Sequence, residues 1–165
     1  MPERVTAVEL TEEAWGLFGW IPVEDTDPRD GSHHLEFTWG DVHVNVIGHT
    51  LDEVAVLPEG LRCDVMYRHD THTQCLMALN CDSVVAVAPA AEDFGGARPT
   101  ASVRAFVLHP LQAVVLHRGT WHWGPFPLGD DPVRLFNVQG LRYAEDNASM
   151  DLAGRGLSVE VVLPR

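Results

Sequence analysis

An all-β fold, a barrel or two-sheet sandwich with one short N-terminal helix, is what this sequence predicts, and three observations point there. From residue 25 onward, short runs rich in Val, Leu, Phe and Trp recur between Gly, Pro and Asp turns. Nine or ten such runs stand against one minor helical segment, and that balance selects a closed or packed sheet. The length of 165 residues suits one domain, taken here as residues 1–165.

The elements follow in order. Residues 11–18 read as the helix, with Thr11 as its N-cap and Glu12 and Glu13 where the helix dipole favours anions. Strands are expected near 35–39, 42–47, 62–69, 73–79, 83–88, 103–108, 112–116, 133–138 and 157–163, with 52–56 as a further candidate. Gly40-Asp41 and residues 80–82 carry turn chemistry. The connection 89–102, with Pro89, Gly95, Gly96 and Pro99, is too long for a hairpin; it is either a lid over the barrel mouth or a surface loop.

Composition narrows the function. Asp and Glu total 24 against 11 basic residues, a formal net charge of −13. Such a surface repels phosphate backbones and anionic lipid, so neither nucleic acid nor membrane is expected as a partner. All 11 basic residues are Arg; the absence of Lys excludes Schiff-base chemistry, a lysine-held pyridoxal group and a P-loop. No apolar run is long enough to span a bilayer, and Met-Pro-Glu-Arg has no signal-like apolar core, so a soluble cytoplasmic protein is expected. Cys63, Cys75 and Cys81 form no CxxC and are expected to be buried, reduced thiols. Neither a recognisable Ser-His-Asp motif nor a GxGxxG is present.

The nine histidines carry the most information. Strand alternation in 62–69 places Cys63, Val65, Tyr67 and His69 on one face, and Arg62, Asp64, Met66 and Arg68 on the other. A turn follows, and Gln74 opens the next strand. Later comes His117-Arg118-Gly119-Thr120-Trp121-His122. Tyr67-x-His69-x4-Gln74 and His117-x-Gly119-x2-His122 resemble the two motifs of the cupin barrel, whose matching positions converge inside the barrel and hold a divalent metal.

A closer resemblance is to the ureidoglycolate lyase family. It rests on Arg68-His69-x4-Gln74 and on the Arg118-Gly119-Thr120-Trp121-His122 stretch. Leu10-Thr11-x3-Trp15-x2-Phe18-Gly19, residues 84–89 and Arg104-Ala105-Phe106 support it, and it extends over residues 10–142. The resemblance implies a cupin-type barrel or jelly roll and a homodimer. It also implies a lyase that cleaves ureidoglycolate to glyoxylate and urea with a divalent metal, nickel among those proposed; imidazole ligands suit Ni, Mn, Fe or Zn. The chain departs from the family at several points. Tyr67 stands where the family usually has Glu, and Cys75-Leu76-Met77 follows Gln74 in place of an aromatic-proline strand. Trp123-Gly124-Pro125 follows His122, and the later strand ends Asn137-Val138-Gln139 where an acidic residue is usual.

On this reading His69, Gln74 and His122 are the metal ligands, or else the walls of a hydrogen-bonded anion pocket. A small-molecule carboxylate is the expected substrate. Tyr67, sharing the His69 face, would hydrogen-bond a substrate oxygen or protonate the leaving group. His72, in the turn between the ligand strands, either serves as an acid or base or faces water. Arg118 is either a carboxylate clamp or a surface residue. His117 would orient another group. Arg68 should point away from His69, and Trp121 and Trp123 away from His122. His33 and His34 are expected in solvent, and His43 with Asn45 line either the interior or solvent. The alternatives are a diverged cupin isomerase, dehydratase or oxygenase of a biosynthetic pathway, or a non-catalytic acid-binding cupin.

Overall fold

Alternation of apolar and polar side chains turns most of this chain into strands. The computed structural model describes residues 2–24 and 33–164. In chain order the elements are β1 (Glu3–Glu9), α1 (Glu12–Trp15), β2 (Gly19–Trp20), β3 (Val42–His49), β4 (Ala55–Leu57), β5 (Gly60–Cys63), β6 (Val65–Arg68) and β7 (Gln74–Ala78). They continue with β8 (Ser83–Ala88), β9 (Arg104–Leu108), β10 (Ala113–Leu116), β11 (Trp121–Pro127), β12 (Val133–Gly140), β13 (Ala148–Asp151) and β14 (Val159–Val162).

Two sheets result. The larger runs β13-β6-β11-β8-β9-β1-β14-β5-β4, and the smaller runs β2-β10-β7-β12-β3. β1 lies parallel to both β9 and β14, and the remaining ladders are antiparallel. One apolar cluster fills the space between the sheets with Trp15, Phe18, Phe106, Leu76, Leu116 and Leu135. A second packs where the larger sheet folds over its own outer face, around Cys63, Met66, Trp121, Trp123 and Val161. β8 is buried along its whole length, with Val85 and Val87 in the first cluster and Val84, Ala86 and Ala88 in the second. That two-sided burial explains why residues 83–88 read as an unbroken apolar run.

The all-β expectation holds, with corrections. Thr11 caps the helix as read, its hydroxyl accepting the Ala14 N–H at 3.2 Å. The helix nevertheless stops at Trp15, because Gly19 must meet the β10 backbone so closely that a Cβ would lie 1.7 Å from the Val115 carbonyl oxygen. Residues 35–39 form no strand, only a single bridge between Phe37 and His72. The expected strand 62–69 is broken at Asp64 into β5 and β6, which pair with different neighbours. Residues 52–56 divide between a 3-10 turn, Leu51–Glu53, and β4. β1, β2, β11 and β13 were not anticipated. The connection 89–102 is not a lid: Phe94 packs on Trp121, and Trp121 Nε1 donates to the Glu92 carbonyl, on the side of the sheet opposite the cavity described below. Cys63 is buried, whereas Cys75 and Cys81 are only partly so, and all three are free thiols. No helix among the described residues is long and apolar enough to cross a membrane.

Candidate functional site

The turn before β11 joins the two sequence motifs. Gly119 adopts φ +74°, a conformation that costs glycine little, and its N–H donates to the His69 carbonyl at 2.7 Å. β11 then runs antiparallel to β6 with His122 directly opposite Tyr67, so both project to one face. His69 follows β6 and points the same way. A cavity of about 400 Å³ opens there between the sheets, lined by Tyr67, His69, Gln74, His122, Gln139 and Tyr143 among others.

The histidines are oriented by backbone carbonyls. His69 Nδ1 lies 2.5 Å from the Asp146 carbonyl and His122 Nδ1 3.2 Å from that of Thr120. A carbonyl only accepts, so each Nδ1 carries a hydrogen, and in a neutral ring Nε2 is the nitrogen left to bind. The two rings are 5.4 Å apart. Burial, reinforced by His69, holds His122 neutral with its pKa pushed down to about 3.

Gln74 is set by a relay of amides. Its Nε2 donates to Asn137 Oδ1 at 2.9 Å and to Gln139 Oε1 at 3.3 Å, and Asn137 Nδ2 donates to Asn45 Oδ1 at 2.7 Å. Both Gln74 donations are used inside the relay, while its Oε1 is buried with no hydrogen-bond partner. An unsatisfied buried acceptor is costly, which favours a cation or donor beside it. Among the described residues no three His, Cys, Asp or Glu side chains form a metal-holding group. The donor set here is instead two imidazole nitrogens and an amide oxygen, which suits a divalent transition metal.

The remaining sequence candidates divide. Tyr67 lines the cavity at its rim, 38% exposed. His72 does not face water and does not line the cavity. It is buried behind His69, its ring 4.6 Å from that of His69 and 6.4 Å from that of Phe37. Burial, then the neighbouring His69, lowers its pKa to about 4. Gly140 makes room for it, since a Cβ there would lie 2.7 Å from His72 Nδ1. Arg118 is not brought to the cavity; its Nε sits 2.9 Å from Glu36 Oε2 in a separate recess of about 330 Å³ with Trp20 and His117. Arg68 lies over the Trp121 ring at 4.6 Å, on the opposite face from His69 as alternation requires. Trp121 and Trp123 likewise pack into the outer core, although Trp123 also contributes to the cavity wall. His43 and Asn45 occupy the inner face of β3, whose outer face exposes Val42, Val44 and Val46. His33 stacks on Trp20 at 5.7 Å.

Two features escaped the sequence reading. Asp146, from the connection between β12 and β13, secures the turn after His69: its carboxylate accepts the Asp70 and Thr71 N–H groups at 3.0 and 2.7 Å and the Thr71 hydroxyl at 2.5 Å. Burial raises its pKa, but these bonds outweigh burial and leave the carboxyl below the ordinary Asp value. His49 and Glu53 also line the cavity. The signal available for them was a histidine on the inner row of β3 with a carboxylate four residues on.

The ureidoglycolate lyase family model matches residues 43–160. No curated protein matches the sequence. Among solved structures, the chain is similar to a dTDP sugar isomerase from Desulfovibrio desulfuricans G20, with 13% identity, 74% of each chain covered and a TM-score of 0.44.

Proposed function

The chain belongs to the ureidoglycolate lyase family and is a lyase-like cupin, and on that premise we propose that it cleaves ureidoglycolate to glyoxylate and urea in the cavity between the sheets. The observation that supports this reading is that His69, Gln74 and His122 line one cavity and that Gln74 Oε1 is buried without a hydrogen-bond partner. The same three residues would hold a divalent cation (Ni, Mn, Fe or Zn). When bound, that cation would supply the positive charge that a carboxylate substrate needs and polarise the bond to be broken. No arginine lines the cavity among the described residues, which strengthens the case for such a charge.

The protein's own groups would then bind and orient. The amide relay through Asn137 fixes Gln74, and the Asp146 and Thr120 carbonyls fix the two imidazoles. Tyr67, at the rim, would donate its hydroxyl hydrogen to a substrate oxygen. Neither Tyr67 nor Gln74 brings a carboxylate to the site, and this favours one second reading: turnover of another 2-hydroxy acid by the same donors.

The homodimer is part of the proposal. The outer faces of β3 and β12 expose Val42, Val44, Val46 and Phe136, and the outward positions of these two strands carry no Asp or Glu. In a chain of net charge −13 such a face lets two copies approach without repulsion. Sedimentation should give a dimer for the wild type and a monomer for Val44→Glu; a monomeric wild type would contradict it.

The activity test is release of glyoxylate from ureidoglycolate by purified protein supplied with each of the four metals. The wild type should exceed the spontaneous rate. A rate equal to background with every metal would remove the lyase reading.

A further inference from the structure

We propose that His49, backed by Glu53, is the proton-transferring residue of this cavity. The inference rests on the lyase reading above and goes beyond it by assigning a catalytic group that neither sequence motif contains.

The geometry is that of a dyad. His49 closes the inner row of β3, its Nδ1 lies 2.8 Å from Glu53 Oε2, and its ring packs 5.1 Å from that of Phe126. Glu53 is itself held, because its Oε1 accepts the Thr50 N–H at 2.8 Å. An ionised carboxylate only accepts, so His49 Nδ1 carries the hydrogen, and in the neutral ring Nε2 is the nitrogen that offers a lone pair. Burial pushes the Glu53 carboxyl up, but the bonds from His49 and Thr50 outweigh it and keep the group ionised. A carboxylate behind an imidazole fixes the tautomer and stabilises the imidazolium that forms on proton uptake.

The other cavity histidines are unsuited to this task. His69 and His122 are backed by neutral carbonyls, and their Nε2 atoms are the candidate ligand atoms. His49 has its carboxylate and is 27% exposed. The other titratable groups lining the cavity with it are Tyr67, His69, His122 and Tyr143.

The step balances with no oxidant or co-reactant. His49 Nε2 takes the proton of the substrate's hydroxyl. The O–H electron pair closes the carbonyl of glyoxylate, the C–N bond breaks, and its electron pair stays on nitrogen. His49 returns the same proton to that nitrogen, urea leaves, and the dyad ends as it began.

The test pairs kinetics with ring nitrogen spectra. His49→Gln should lower kcat by about a hundredfold or more with KM little changed, and thermal unfolding should show both variants folded. Glu53→Gln keeps an acceptor for Nδ1 but removes the charge that stabilises the imidazolium, so it should lower kcat less, again with KM little changed. If the wild type turns over ureidoglycolate and His49→Gln stays within threefold of it, the assignment is wrong while the lyase reading stands. If the wild type shows no turnover, glycolate titrated into zinc-loaded, ¹⁵N-histidine protein decides the matter. A shift of the His49 Nε2 signal supports the dyad as the group facing the acid's hydroxyl, and no shift overturns it.

Discussion

The space between the two sheets is filled at one end and open at the other, and the same strands build both ends. The inner row of β7 runs Ala78, Leu76, Gln74, and that of β12 runs Val133, Leu135, Asn137, Gln139. At the apolar end Trp15, Phe18 and Phe106 meet edge to face, with centroids 5.3–6.1 Å apart. Trp15 Nε1 is satisfied there by the Val115 carbonyl at 3.0 Å. At the amide end the side chains bond to one another and leave Gln74 Oε1 open. The difference teaches where stability and function separate: one end is packed to exclude everything, and the other leaves a buried amide oxygen without a protein partner.

Breaking the filled end should have the largest effect on folding. Phe106→Ala removes the ring shared by Trp15 and Phe18 and should cost about 3–5 kcal/mol by urea denaturation. His122→Ala, at the open end, should cost no more than about 1 kcal/mol of stability. It should nevertheless lower metal uptake and glyoxylate release by at least about a hundredfold. A His122→Ala protein as unstable as Phe106→Ala would show that the open end is core after all.

Tyr67→Phe sharpens the comparison within the open end. It keeps the ring and removes only the hydroxyl, so metal content should stay constant while turnover falls about tenfold, or ~1.4 kcal/mol of transition-state stabilisation. Unchanged turnover would mark the hydroxyl as idle.

The legibility of the sequence followed the same division. Residues 83–88 and 112–116 were readable because their burial makes their composition distinctive. His69, Gln74, His122 and Tyr67 could be grouped because strand alternation and motif spacing survive folding. β11, which carries His122, went unread because Gly124-Pro125 interrupts its alternation and the register shifts between Trp123 and Phe126. Across 62–69 alternation failed at Asp64, which resets the faces: Cys63 and Met66 share the outer core while Val65 and Tyr67 face the cavity. His72 and Arg118 lie close in sequence to the ligand candidates, but one is packed behind His69 and the other is ion-paired with Glu36. Asp146 acts through contacts with residues more than seventy positions away, which no local pattern encodes.

The smallest expected effect lies outside both ends. His109 bridges Asp82 and Glu9 at 2.8 and 2.9 Å, and these bonds raise its pKa above the ordinary imidazole value. A raised folded pKa means stability that is fully present below the unfolded value of about 6.5 and lost as pH rises through the folded one. The Tm gap between wild type and His109→Gln should therefore be widest near pH 5 and close toward pH 9. A gap independent of pH would remove the charged form from the explanation.

The open end is tested most directly by anomalous diffraction from crystals grown with nickel. The expected result is one strong peak about 2.0–2.3 Å from His69 Nε2, His122 Nε2 and Gln74 Oε1. A crystal with no peak in this cavity, or with its peak in the recess of His117 and Arg118, would contradict the assignment.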